Sequence, residues 1–291
     1  MPGKLGRTAL CLAGGGSRGI IQVGMMKAWR DSGLKYDMLF GTSVGALNGS
    51  LLHQGSLDTC EQLWLNIKNK DVYTWGNLWS PFSSGGHLYN SDPLQKTCDK
   101  YMDTAKIKSS DTPFYVSATN IDTQQPECKD LRTIPEDQMT LFIRASASPP
   151  IFFPPVLFPK NQGMMMVDGG LVNNFSVWSA TQLGADTIIV FCPTKIAPKR
   201  PKNLLDMLNL ATSIPEHEFL ERELQFIDFV NKFQDPHPQL RHINWVLVRP
   251  PVPLDIGLVD FTYKGLDRKA LIEGGYNLAV PALQKLMDQC L

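Results

Sequence analysis

The 291-residue chain has no charge imbalance, with 28 lysines and arginines against 28 aspartates and glutamates. A dedicated nucleic-acid binder usually carries a basic excess, so the balance argues against that class. It does not argue against lipid contact, which needs only a local patch. No apolar run reaches the length of a membrane span, and no transmembrane helix is expected. The opening Met-Pro-Gly-Lys leads into no secretory pattern: Thr8–Ala13 is too short for a leader and ends in glycines. The cysteines, at 11, 60, 98, 128, 192 and 290, show no CxxC or Cys/His ligand spacing. They read as reduced thiols of a cytoplasmic protein, with no metal and no other cofactor implied. Repeats and low-complexity tracts are missing as well. What is present is 43% hydrophobic residues and length enough for one sizeable core.

Strand-like and helix-like segments alternate. Arg7–Ala13 is an apolar run entering Gly14-Gly15-Gly16, and Gly19–Ser32 has helical spacing closed by Gly33. Tyr36–Phe40, Pro113–Asn120, Met164–Val167, Thr187–Cys192 and Ile243–Val248 read as further strands. Val44–Gln54, Leu57–Lys68 and Ser176–Leu183 read as helices. The alternation predicts an α/β fold with a mostly parallel sheet covered on both faces. Two stretches interrupt it. Residues 149–159 hold five of the 21 prolines, which excludes a central strand and predicts a rigid extended loop. Residues 195–235 start with Lys195, Lys199, Arg200 and Lys202. They continue as an amphipathic helix carrying Leu220, Leu224, Phe226, Ile227, Val230 and Phe233. The basic stretch reads as a solvated loop or as a contact for anionic headgroups. One domain is expected over 1–291, with a core at about 7–193 and 241–291 and a helical cap or insertion at about 195–235.

Gly14-Gly15-Gly16-Ser17-Arg18-Gly19 stands at a strand-to-helix junction, where free amides can hold a phosphate or a developing oxyanion. The hexad also fits G-x-G-x-x-G. A dinucleotide site, however, needs an acidic residue closing the second strand, and here Asp37 opens that strand. Gly41-Thr42-Ser43-Val44-Gly45 is G-x-S-x-G between a strand and a helix, the context in which the motif presents a nucleophilic serine. Elsewhere a glycine-flanked serine is often a helix cap. Asp168, in Val167-Asp168-Gly169-Gly170, reads as a turn aspartate or as a base facing Ser43 across a narrow cleft. None of His53, His87, His217, His237 and His242 lies in a context that presents an imidazole to the serine.

These three motifs, in this order, closely resemble the patatin-like phospholipase family, whose members use a serine–aspartate dyad without histidine. Ala145–Pro155 resembles the family's segment lining the acyl site, and Asp168–Asn174, then Leu183–Ile189, share its cadence, so the resemblance covers roughly residues 7–193. Asn173 and Ser176 depart from it, standing where an aspartate and a proline are frequent. The resemblance implies a patatin-like three-layer α/β/α sandwich with a small helical cap insertion. It implies Ser43 as nucleophile, Asp168 as general base, and the Gly14, Gly15 and Gly16 amides as oxyanion hole. Arg18 takes the basic position of the loop, bonding its backbone or a substrate phosphate. Gly19, Gly41, Gly45, Gly169 and Gly170 shape the elbow and the two loops. Phe152, Phe153 and Pro154 are acyl-groove candidates, although aromatics here, like Leu157, Phe158 and Met164–Met166, equally suit the core. The implied activity is a lipid acyl hydrolase, a phospholipase A or lysophospholipase acting through an acyl-serine. An acyltransferase, a neutral-lipid lipase and a non-catalytic, partner-regulated lipid-binding module are the alternatives. The partners expected are a phospholipid or other acyl-ester lipid and a peripheral membrane surface, and no nucleic acid. An activator or a homo-oligomer is left open.

Overall fold

The computed structural model describes residues 5–76, 86–160, 163–195, 200–201, 204–232 and 242–290. In chain order the first elements are β1 (Thr8–Leu12), α1 (Ile20–Ser32), β2 (Met38–Thr42), α2 (Val44–His53), α3 (Leu57–Asn66) and α4 (Asn69–Val72). Then come β3 (Thr74–Trp75), β4 (Tyr89–Asn90), α5 (Asp92–Tyr101), α6 (Thr104–Lys108), β5 (Phe114–Asn120) and β6 (Gln125–Asp130). The rest are α7 (Glu136–Ser146), β7 (Val156–Leu157), β8 (Met165–Asp168), α8 (Val177–Gln182), β9 (Thr187–Phe191), α9 (Leu204–Lys232), β10 (Asn244–Val248) and α10 (Arg268–Cys290).

The main sheet runs β10-β9-β1-β2-β5-β8-β7, with β6 also on β5. The first five strands are parallel, and β6, β7 and β8 add antiparallel pairs at one end. Strands buried on both faces read as continuous apolar runs, and β1 and β9 are such runs. Leu10, Leu12, Ile189 and Phe191 join the core on the face covered by α1, α2, α3 and α10. Ala9, Cys11, Ile188 and Val190 alternate with them into a second core on the opposite face. Helix α9 completes that second layer with Leu220, Leu224 and Ile227, all buried. The closest helix pairing has a sequence cause. A Cβ on Gly24 of α1 would lie 1.8 Å from the Ile272 carbonyl oxygen of α10, and one on Gly275 would lie 1.9 Å from that of Ile21.

The register of β5 places the candidate site. One edge of β5 is filled by β6, from Tyr115 to Asn120. The other edge is shared. Strand β2 runs parallel along it and ends with Thr42 opposite Ser117. Strand β8 comes from the other direction and ends with Asp168 opposite Ala118. Two strand ends therefore meet at neighbouring β5 residues, bringing together segments 125 residues apart.

The proline-rich stretch 149–159 is a loop except for the two-residue strand β7, an outer strand of the sheet, where proline is tolerated. Of the apolar face expected on the amphipathic helix, Phe226 is exposed, Val230 is half-buried, and Phe233 lies outside the described residues. No helix among the described residues is long and apolar enough to cross a membrane.

Candidate active site

Ser43 stands between β2 and α2 with φ 54° and ψ −127°, a backbone conformation that costs a non-glycine residue about 1–3 kcal/mol. The surroundings enforce it. The first turn of α2 presses on the end of β1 so closely that a Cβ on Gly45 would lie 1.9 Å from the Leu12 carbonyl oxygen. The Ser43 amide donates to Ser146 Oγ at 2.9 Å, and Ser146 Oγ donates to the Ser117 carbonyl at 2.6 Å. Gly41 lies within β2 and Gly19 packs against Val44.

The Ser43 hydroxyl donates to Asp168 Oδ2 at 2.7 Å. The other carboxylate oxygen accepts the Gly170 amide at 2.8 Å. Main-chain contacts fix the residue itself: its amide donates to the Ser148 carbonyl at 2.9 Å, and Thr119 Oγ1 donates to its carbonyl at 2.9 Å. Burial pushes the carboxyl up to about 7, although the Gly170 and Ser43 hydrogen bonds pull it back. A carboxylate so placed takes a proton near neutrality, where an ordinary one is a weak base.

The glycine loop is held at both ends. The Gly14 amide donates to Asn174 Oδ1 at 2.8 Å. Gly16–Gly19 form a one-turn 3-10 helix, whose first amides have no intrahelical acceptor. Ser17 donates its amide to the Leu258 carbonyl at 2.9 Å and its hydroxyl to the Gly257 carbonyl at 2.6 Å, and the Tyr263 hydroxyl donates to the Ser17 carbonyl. Arg18 is half-buried, its amide bonded to the Gly15 carbonyl at 3.2 Å.

A cavity of about 620 Å³ opens over these groups. Gly14, Gly15, Gly16, Arg18, Ser43, Asp168, Gly170 and Asn174 line its polar side. Leu47, Trp64, Ile67, Val72, Leu94, Phe152 and Phe153 line its apolar side, with a further wall from Pro253–Val259 and Phe261. Pro154 is half-buried and absent from this lining, whereas Pro149 and Pro150 are in it. The Phe153 amide turns back to the Pro149 carbonyl at 3.0 Å, and of this turn Pro149, Pro150, Phe152 and Phe153 line the cavity while Ile151 is exposed. Phe158 packs on Phe142 and Met166 is buried, both as core, and Leu157 is exposed.

The Ser43 hydroxyl is bonded to a carboxylate and not to an imidazole. His217 on α9 does line the cavity, its ring edge-on to Phe175 at 6.1 Å. His53 is packed between Tyr36 and Phe114, and burial pushes it down to about 4. His87 bridges to Ile151, His242 is exposed, and His237 lies outside the described residues. Sequence reasoning overlooked the wall at 253–261 and the partner of the Gly14 amide. Pro251, Pro253 and Gly257 mark a loop, but nothing local says what that loop faces.

The sequence profile described as Patatin-like phospholipase matches residues 10–181, more than half of the chain and all three motifs. Lysophospholipase nte1 of Aspergillus terreus is 26% identical over 303 aligned residues, covering 96% of this chain and 18% of that protein. Neuropathy target esterase sws of Drosophila melanogaster is 30% identical over 184 residues, covering 62% of this chain and 12% of that protein. The chain thus spans less than a fifth of the length of these curated relatives. Among solved structures, VipD from Legionella pneumophila superposes with a TM-score of 0.50 at 13% identity, covering 96% of this chain and 67% of that one, a likeness of fold. With the profile match spanning the glycine loop, the serine elbow and the aspartate loop, the chain belongs to the patatin-like phospholipase family.

Proposed function

We propose that this chain is a lipid acyl hydrolase of the lysophospholipase or phospholipase A type, with Ser43 as nucleophile and Asp168 as general base. The observation that carries the reading is the 2.7 Å Ser43–Asp168 hydrogen bond at the polar side of a largely apolar cavity. Ser43 Oγ attacks the ester carbonyl carbon while its proton passes to Asp168 Oδ2. The carbonyl oxygen becomes an oxyanion, and the amides of Gly15 and Gly16 are its proposed donors, since Asn174 occupies that of Gly14. Collapse breaks the ester bond, and the leaving alcohol takes the proton from Asp168. Water then attacks the acyl-serine, Asp168 accepts its proton, and the fatty acid leaves as Ser43 is reprotonated. Phe152 and Phe153 form the proposed acyl wall.

The relatives' name points to single-chain phospholipids, and the cavity supports a single acyl chain. The cavity's volume of about 620 Å³ lies in the range of roughly 300–1,000 Å³ usual for a site that holds one small ligand, and most of its lining is apolar. We place the reaction at a membrane surface in a reducing compartment, the latter in keeping with the unbridged cysteines Cys11, Cys60, Cys98 and Cys128. The test is product analysis on lysophosphatidylcholine and phosphatidylcholine vesicles. Wild type should release fatty acid, and Ser43→Ala should release none above background. Undiminished release by the variant would refute the assignment.

A further inference from the structure

Three consecutive glycines are the most freely rotating segment a chain can have. Left alone, Gly14-Gly15-Gly16 would aim their N–H groups in many directions, and preorganised donors are what stabilise an oxyanion. The structure pins the segment at two points. At its far end the Ser17 amide is bonded to the Leu258 carbonyl at 2.9 Å. At its near end the Gly14 amide is bonded to Asn174 Oδ1 at 2.8 Å. Between these fixed amides stand those of Gly15 and Gly16.

We propose that Asn174 is a positioning residue of the reaction: it fixes the first peptide of the glycine loop and thereby sets the direction of the oxyanion donors. The proposal rests on the reading of Ser43 as nucleophile. Asn174 is buried, lines the cavity, and sits so close to the loop that a Cβ on Gly14 would lie 2.5 Å from Asn174 Oδ1 and 3.0 Å from Ser43 Cβ. An N–H group accepts nothing, so the side-chain oxygen, and not its nitrogen, faces the loop.

The same short segment touches every part of the site. The Gly170 amide holds Asp168 Oδ1, and Thr42 Oγ1, next to the nucleophile, donates to the Asn173 carbonyl at 3.0 Å. Asn173 Nδ2 anchors the segment to Ser117 Oγ and Ser179 Oγ, each at 3.0 Å. Residues 168–174 therefore carry the base and, through Asn174, reach the oxyanion loop. Base, nucleophile and donors are referenced to one piece of backbone.

The test compares Asn174→Leu, which keeps the size and removes the acceptor, with Asn174→Ser, which is smaller and too short to reach. Each is measured for kcat and KM on lysophosphatidylcholine, and for affinity toward two alkyl ligands. An alkyl trifluoromethyl ketone adds the serine oxygen to its carbonyl carbon and leaves an oxyanion. An ether-linked lysolipid binds the same cavity and forms none. We expect kcat and ketone affinity to fall together by about 30- to 300-fold, with KM and ether affinity within about twofold and cooperative thermal unfolding retained. Should Asn174→Leu fail to fold, Asn174→Ser carries the same comparison. The proposal is overturned if a folded variant keeps kcat and ketone affinity, or if both ligands weaken equally. Ser43→Ala, run alongside, separates this outcome from failure of the parent reading: an active Ser43→Ala removes the nucleophile, whereas an inactive one beside a fully active Asn174→Leu removes only the role of Asn174.

Discussion

The cavity has two sides built by different means. Its polar side comes from residues 14–45 and 168–174, where backbone hydrogen bonds and steric contact fix atoms closely. Gly45 has no room for a methyl group, and Ser43 is held at φ 54° by its Ser146 contact. Its apolar side comes from Leu47 on α2, from α3, α4 and α5, the 149–153 turn, α9 and the 253–261 loop, where apolar side chains make up most of the lining. Rigid positioning serves bond making, which depends steeply on geometry, and apolar packing serves binding, which tolerates adjustment. Substitutions on the polar side should therefore act on kcat, and those on the apolar side on KM.

The largest separation is expected from Asp168→Asn. Activity should fall by about 10⁴-fold, the scale on which removal of one member of such a unit acts. Stability should move the opposite way. The Asp168 carboxyl is raised to about 7 in the folded chain and lies near 4 unfolded. Between those values the native state keeps a proton that the unfolded state has released, so the Asp168 contribution to wild-type stability falls as pH rises through that window and levels off above it. Glu223 on α9, also raised to about 7 by burial, adds a decline of the same sign in both proteins. Urea midpoints from pH 4 to 8 should show Asp168→Asn gaining on wild type up to about pH 7, by several kcal/mol. Wild-type kcat/KM should show an acid limb with a midpoint near 7, as the free base ionises. A gap that is constant with pH, or an acid limb near 4, would show that Asp168 is not desolvated.

Gly45→Ala tests the steric half of the comparison. The added methyl would overlap the Leu12 carbonyl, backbone that cannot swing aside, so the elbow and the end of β1 must separate. We expect a loss of about 3 kcal/mol or more, read as a fall in the thermal midpoint, with residual activity lost in proportion to kcat. Normal stability with normal kcat would show that the polar side is as adjustable as the apolar one.

The difference between the two sides also explains what could be read from the sequence. Gly14–Gly19, Gly41–Gly45 and Asp168–Gly170 are local: each contains both the special backbone and the reactive group, so a few adjacent residues announce it. Strand positions were legible for the same reason, because β1, β2 and β9 are short apolar runs ending at turn residues. The meeting of Ser43 with Asp168 depends on β2 and β8 sharing one edge of β5, which no local pattern records. The Gly14–Asn174 and Ser17–Leu258 bonds span 160 and 241 positions, and a lone asparagine or leucine carries no sign of such a partner. Pro154 was a natural acyl-groove candidate beside two phenylalanines. Only the turn from Pro149 to Phe153 shows that the chain leaves the cavity just before it.

The smallest effect is expected where the two sides are joined. Tyr263 is buried, its ring lies under the Arg268 guanidinium at 4.6 Å, and its hydroxyl reaches the Ser17 carbonyl. Tyr263→Phe keeps the ring and removes that one bond. The Ser17 carbonyl still accepts the Ile20 amide, and Ser17 still donates twice to the 257–258 backbone, so the glycine loop keeps its place. A single hydrogen bond lost without orphaning its acceptor costs about 1 kcal/mol. That loss falls on the segment just after the 253–261 wall, which this bond ties to the glycine loop, and so KM for long-chain substrates should rise about two- to fivefold while kcat stays within twofold. Short-chain esters, which do not reach the wall, should show neither change. A fall in kcat for both chain lengths would mean that the wall positions the oxyanion donors as well, and that the two sides of the cavity work as one.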